Sequence, residues 1–239
     1  MSERSLKLVS FDVWDTLLSV RAFYRDVAVE LSKLLGVQQT LMENKLLEGY
    51  RQVRAVRRAG GFSDFEIVPA SLKLIAKLLN VETVKVEKAI LDAVENGRPE
   101  CYMLEGVPET LNFIKSLGLT VIVVGNVVFW PGSINRILLE KAGLAKFMDE
   151  QFYADEVGVS KPKPEAFAKA LSKFNVEPHE AVHVGDSLFE DLAGAVLAQM
   201  RAVLIDKNVN NIVKLSSWDA YIIPDIKRLG EVIQNWEKH

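Results

Sequence analysis

Short apolar runs that stop at a carboxylate, a glycine or a proline alternate along this chain with longer stretches of helical periodicity. Residues 6–11 run apolar into Asp12, and residues 120–124, 151–154, 181–184 and 202–205 have the same character. A last run, 220–223, stops at Pro224. Runs this short and this apolar predict buried strands. Between them, residues 108–117 place Leu111 and Ile114 on one face, with a proline near the start and Gly118 past the end, the ordinary start and stop signals of a helix. Residues 133–142, 164–174 and 189–198 repeat the style. Strand alternating with helix predicts an α/β fold with a doubly wound, mostly parallel sheet.

Residues 18–98 break that rhythm. They carry no strand pattern and read as helices over 22–35, 40–58, 69–79 and 84–96, punctuated by Gly36, Gly60, Gly61 and Asn80. So long a helical stretch directly after the first strand exceeds a simple crossover connection. It predicts an inserted helical cap domain over 18–98, with the core formed by 1–17 and 99–239.

Four clusters at or just beyond the ends of the apolar runs carry the chemistry: F-D-V-W-D-T-L at 11–17, V-V-G-N at 123–126, S-K-P-K-P at 160–164 and V-G-D-S-L-F-E-D at 184–191. In a parallel α/β sheet the strand ends frame the ligand crevice. The clusters therefore bring Asp12, Asp186, Asp191, Lys161 and Thr16 towards one point. Carboxylates crowd together only with a cation, because like charges raise one another's pKa. A hard divalent ion with oxygen ligands meets that need, and Mg²⁺ is the natural one.

Composition narrows the classes. The chain has 239 residues, 29 basic against 32 acidic, and a formal charge of −3. That balance argues against a dedicated nucleic-acid partner. Cys101 is the sole cysteine, which excludes an internal disulfide and a cysteine-built zinc site. No apolar stretch approaches the roughly 20 residues of a membrane span, and no signal-peptide pattern precedes Asp12. The expectation is a cytoplasmic protein with no membrane partner. No pattern reports an oligomeric state.

The ordered motifs resemble those of the haloacid dehalogenase-like hydrolase superfamily, over essentially the whole chain. The resemblance implies a Rossmann-like core in which Asp12 is the nucleophile of an aspartyl-phosphate intermediate. It implies metal ligation by Asp12, the backbone carbonyl of Trp14 and Asp186, with Asp191 holding metal-bound water or anchoring its loop. Lys161 matches the lysine that neutralises the transferred group, and Thr16 and Asn126 match positions that orient the nucleophile or hold substrate oxygens.

Two positions depart from the phosphatase pattern. Trp14 stands where phosphatases usually carry an acid for the leaving group, and Asp15 lies one residue further on. In an extended segment that shift turns a side chain to the opposite side. Gly125 stands where a hydroxyl is usual. Arg51, Arg54 and Arg58 form one helical stripe that reads either as a solvated face or as a contact for a substrate anion. Phe129 and Trp130 read as pocket mouth or as packing against the cap. His183 reads as core, and His179 and His239 as surface.

The leading reading is a Mg²⁺-dependent phosphatase acting on a small phosphorylated metabolite. The alternatives are a 2-haloacid dehalogenase, which the non-acidic Trp14 suits and the Asp186/Asp191 pair opposes, and a catalytically weakened binding protein of the same fold.

Overall fold

The computed structural model describes residues 6–237; His239 lies outside them. Seven strands form one sheet in the order β3-β2-β1-β4-β5-β7-β6. They are β1 (Leu8–Phe11), β2 (Thr120–Gly125), β3 (Glu150–Tyr153), β4 (Ala181–Gly185), β5 (Arg201–Ile205), β6 (Val213–Leu215) and β7 (Ala220–Ile223). Every pairing is parallel except β6 with β7. The central strands β1 and β4 are buried on both faces, as their unbroken apolar character requires. The short edge strand β6 is largely exposed and lies outside the apolar runs of the sequence.

Four helices follow β1: α1 (Val20–Leu35), α2 (Gln39–Arg58), α3 (Ile67–Leu79) and α4 (Thr83–Asn96). The expected start of α3 at 69 moves back to Ile67, because Pro69 sits in its first turn, where no amide is needed. Gly36 and Asn80 end α1 and α3 in the left-handed conformation. A single 3₁₀ turn, Asp64–Glu66, joins α2 to α3. The chain leaves and re-enters the sheet side by side: Ser19 N–H donates to Tyr102 O (2.7 Å) and Leu104 N–H to Leu17 O (3.0 Å).

The remaining helices flank the sheet: α5 (Val107–Ser116), α6 (Gly132–Lys141), α7 (Ala154–Val157), α8 (Pro164–Ser172), α9 (Gly194–Leu197) and α10 (Leu229–Glu237). The sequence pattern misses α10, whose Leu229, Val232, Ile233 and Trp236 are buried. It also predicts a regular helix over 189–198. The chain instead opens there with a π turn, Leu188–Ala193, capped by the Ser187 side chain.

An aromatic cluster fastens the helical insert to the sheet. Trp14 stacks on Phe23 of α1 at 5.6 Å between centroids and meets Trp130 edge-on at 5.5 Å. Tyr24 packs against Phe129 and Trp130. Phe129 and Trp130, which follow β2, are thus buried core residues that pack against the insert.

Candidate active site

The crevice lies where the sheet order turns back, between the C-terminal ends of β1 and β4, the expected ligand position in an open α/β sheet. Asp12 follows β1 directly, its N–H donating to Val184 O at 2.9 Å. Asp186 follows β4. Asp191 comes back under the crevice through the π turn, in which Asp191 N–H and Leu192 N–H both donate to Ser187 O. Gly185 makes room for this return: a Cβ there would stand 2.2 Å from Asp191 Cγ.

Carboxylate oxygens of Asp12, Asp186 and Asp191 all lie within 4.8 Å of one another. Lys161, 2% exposed, reaches between two of them, with Nζ 2.8 Å from Asp12 Oδ1 and 2.6 Å from Asp191 Oδ1. Asp191 also takes the Ser187 N–H on Oδ2 (2.8 Å) and touches His183 Nε2 (3.1 Å). Burial alone would raise the Asp191 carboxyl, but Lys161 and the hydrogen bond from His183 outweigh it and hold it far below the usual range. Both of its oxygens are thus engaged within the protein. Burial would lower the Lys161 amine, yet Asp12 and Asp191 hold it charged.

Asp186 is different. Among the described residues no donor bonds its carboxylate, and burial, followed by the facing Asp12 and Asp191, pushes its pKa up to about 8. Burial also raises Asp12 to about 6, with Lys161 opposing and Asp191 reinforcing. Two raised carboxylates a few ångströms apart, one of them without a donor, suit a hard cation with oxygen ligands. The residues present fit a magnesium ion.

The other expected residues divide. Trp14 and Asn126 line the crevice. Asn126 is fully occupied there: Oδ1 accepts Lys161 N–H (2.9 Å), while Nδ2 donates to Lys161 O (3.0 Å) and Glu190 Oε2 (3.2 Å). It holds the Lys161 loop instead of presenting an open amide. Gly125 stands where a hydroxyl is usual because Tyr153 claims the space: a Cβ on Gly125 would lie 2.9 Å from the ring atom Cε1.

Thr16 is not brought to the acidic crevice. It lines a neighbouring cavity of about 310 Å³ with Lys207 and Lys227, and its buried hydroxyl has no partner. Arg51 is also displaced. The crevice takes the face of α2 that carries Tyr50, Arg54 and Arg57, and Arg51 lies one residue round from Tyr50; it is exposed, with Nε on Leu47 O. Arg54 does reach the crevice.

Asp15 corrects the sequence reading. Its φ of 56° is left-handed, so the alternation of an extended strand no longer applies, and it lines the crevice after all. Its Oδ1 accepts Val20 N–H at 3.2 Å, and burial raises its pKa.

Sequence reasoning misses Arg57, Tyr50 and Glu190, which also line the crevice. Glu190 is buried and accepts from Arg57 Nη2 (2.5 Å), Arg58 Nε (2.8 Å) and Arg54 Nη2 (3.3 Å). Burial would raise Glu190, but Arg57 and Arg54 outweigh it and hold its pKa at about 2. A signal is present in the chain: a fourth arginine, Arg57, beside the stripe, and a carboxylate immediately before Asp191. His183 is core as expected, yet it links Ser10 Oγ (2.9 Å) to Asp191 and Lys161. His179 is exposed as expected.

Comparison with known proteins agrees with this fold. A glyceraldehyde 3-phosphate phosphatase of Pyrococcus furiosus is 29% identical over 97% of this chain and 94% of its own. A phosphatase of Thermococcus onnurineus superposes with a TM-score of 0.67 at 24% identity, covering 95% of this chain and 98% of that one. A 2-haloacid dehalogenase of Pseudomonas syringae superposes with a TM-score of 0.65 at 24% identity, covering 97% and 99%. The fold is thus common to dehalogenases and phosphatases of this architecture. The family model for haloacid dehalogenase-like hydrolases matches residues 6–199, and the chain belongs to that family of hydrolases.

Proposed function

We propose that this hydrolase is a Mg²⁺-dependent phosphatase that acts on a small phosphate ester through an aspartyl-phosphate on Asp12. The observation that carries the reading is the convergence of Asp12, Asp186 and Asp191 with a donor-free carboxylate at Asp186. Asp12, the Trp14 backbone carbonyl and Asp186 would hold the ion, which when bound neutralises the carboxylates and the transferred phosphoryl oxygens. Asp12 attacks phosphorus and the ester oxygen leaves with its electron pair; water then resolves the intermediate. Lys161 holds Asp12 in place and stabilises charge on the phosphoryl group.

Residues 18–98 act as a cap on the core formed by 1–17 and 99–239. The crevice encloses only about 30 Å³, room for little more than a water molecule. Substrate entry therefore requires the cap to move, and the paired connections at Ser19–Tyr102 and Leu17–Leu104 are where it would turn. Arg54 is the cap's contact for a substrate anion. Its buried Nε has no acceptor, which leaves a donor for the ligand. The relatives named as phosphatases of small phosphorylated compounds support the same reading. Among the described residues no helix is long and apolar enough to cross a membrane.

The dehalogenase reading draws on Trp14, since a halide leaves without a proton. The Asp186 carboxyl opposes it: without a cation it stays buried beside Asp12 and Asp191 with no donor among the described residues, an arrangement that a metal-free reaction does not need. A panel of phosphate esters and 2-haloacids, with and without Mg²⁺, separates the two. Phosphate release that excess EDTA abolishes supports the phosphatase. Chloride release from 2-chloropropionate in EDTA, without phosphate release, contradicts it.

A further inference from the structure

We propose that Asp64, in the 3₁₀ turn of the helical insert, is the positioning residue that sets Lys161, so that docking of the insert and placement of the lysine are one event. The inference rests on the phosphatase reading for its catalytic consequence, though not for its geometry. Lys161 lies in the loop between α7 and α8. From inside, Asn126 holds both its backbone N–H and its carbonyl. From outside, Asp64 clasps the residues on either side: Ser160 Oγ donates to Oδ1 at 2.5 Å and Lys163 Nζ donates to Oδ2 at 2.8 Å.

Three features make this a built contact. The Ser160 residue is 7% exposed, so its hydroxyl has a stake in keeping this acceptor. The Asp64 side chain is 11% exposed, so its bonds are partly shielded from water. Next to it, the Phe65 ring lies over Gly158. A Cβ on Gly158 would stand 2.1 Å from the ring, and its φ of +71° suits glycine besides. The loop carrying Lys161 is shaped to receive this turn of the insert.

A second arm of the insert reaches the same lysine. Arg54, Arg57 and Arg58 hold Glu190, and Asn126 bridges Glu190 Oε2 to the Lys161 carbonyl. Both arms leave together when the insert lifts. Lys161 then keeps its carboxylate partners and Asn126, but its loop loses the contacts that the insert makes to Ser160, Lys163 and Glu190. A catalytic group displaced by about 1 Å loses up to about 10²-fold in rate. The arrangement therefore makes full catalytic competence a property of the closed form.

The test combines turnover with backbone exchange in the full-length chain. Asp64→Ala is expected to lower kcat on an aryl phosphate about tenfold or more, with KM changed less than about twofold. Ser160→Ala should fall similarly, and the double variant should be no worse than either single one. Asp64→Asn, which keeps an acceptor for Ser160, should restore most of kcat. Hydrogen exchange of the Lys161 and Lys163 amides should quicken in Asp64→Ala while β1 and β4 stay protected. Unchanged exchange there, an unchanged kcat, or additive losses in the double variant would overturn the proposal. A wild type without phosphate-ester turnover refutes the functional reading alone, and the exchange measurement still decides the role of Asp64.

Discussion

Arg57 and Glu190 lie 133 residues apart in sequence and meet at 2.5 Å, a buried ion pair between α2 of the insert and the loop that carries Asp191. A buried carboxylate is tolerated only when its charge is matched, and here three arginines surround it. The pair closes the crevice on the side of the insert.

Its sign in stability follows from the pKa. Glu190 is held at about 2, below the ordinary 4.5. Its contribution is therefore fully present above pH 4.5 and is lost as pH falls towards 2. At neutral pH it is on the order of 3 kcal/mol. In urea titrations, Glu190→Gln should be less stable than wild type at pH 5, and the gap should narrow steadily towards pH 2. A gap independent of pH would show that packing, not charge, holds the contact.

The stacking of Trp14 on Phe23 changes the question of the missing acid. Replacing Trp14 by aspartate would remove a ring from the aromatic cluster, at a cost of about 3–5 kcal/mol, so a gain of activity is not expected. Asp15, one residue from that position, also lines the crevice, and burial raises its pKa in the direction a general acid needs. Asp15→Asn should lower alkyl-phosphate turnover about 10²–10⁴-fold and leave aryl phosphates nearly unchanged, since only the alkoxide needs a proton. An equal loss on both classes would show that Asp15 serves the backbone turn alone.

In the proposed mechanism Lys161 serves both structure and rate. Lys161→Ala leaves Asp12 and Asp191 buried without their cation, a loss of about 3–5 kcal/mol, and should reduce turnover severely. Added Mg²⁺ should raise the melting temperature of this variant more than that of wild type, because the ion replaces part of the missing charge. Turnover within about twofold of wild type would remove Lys161 from the chemistry.

Much of this is legible in the chain. Asp12 and Asp186 each follow a strand directly, Lys161 lies in a short loop and Asp191 lies five residues beyond Asp186, so motif spacing and strand order suffice to bring them together, although the π turn that carries Asp191 is not itself foreseen. The four insert helices are legible for the same reason, through their periodicity. Thr16 and Arg51 are misplaced by the sequence because a motif position or a stripe does not say which side of a strand end, or which face of a helix, the crevice takes. Asp15 is misjudged because a left-handed residue reverses the alternation that an extended segment would keep. Glu190, Asp64 and the π turn escape notice because their partners lie on distant elements, and charge pairing across the fold leaves no local periodicity. The short, exposed β6 has too little apolar pattern to register.

The central claim is that Asp12 accepts the phosphoryl group, and acid-quenched turnover followed by peptide mass spectrometry tests it most directly. The account predicts that wild type turning over an aryl phosphate with Mg²⁺ carries one phosphoryl group on the peptide containing Asp12. It predicts that Asp12→Asn, folded as judged by an unchanged circular dichroism spectrum, carries none and releases no phosphate. Phosphate release by Asp12→Asn at a rate near that of wild type would contradict it.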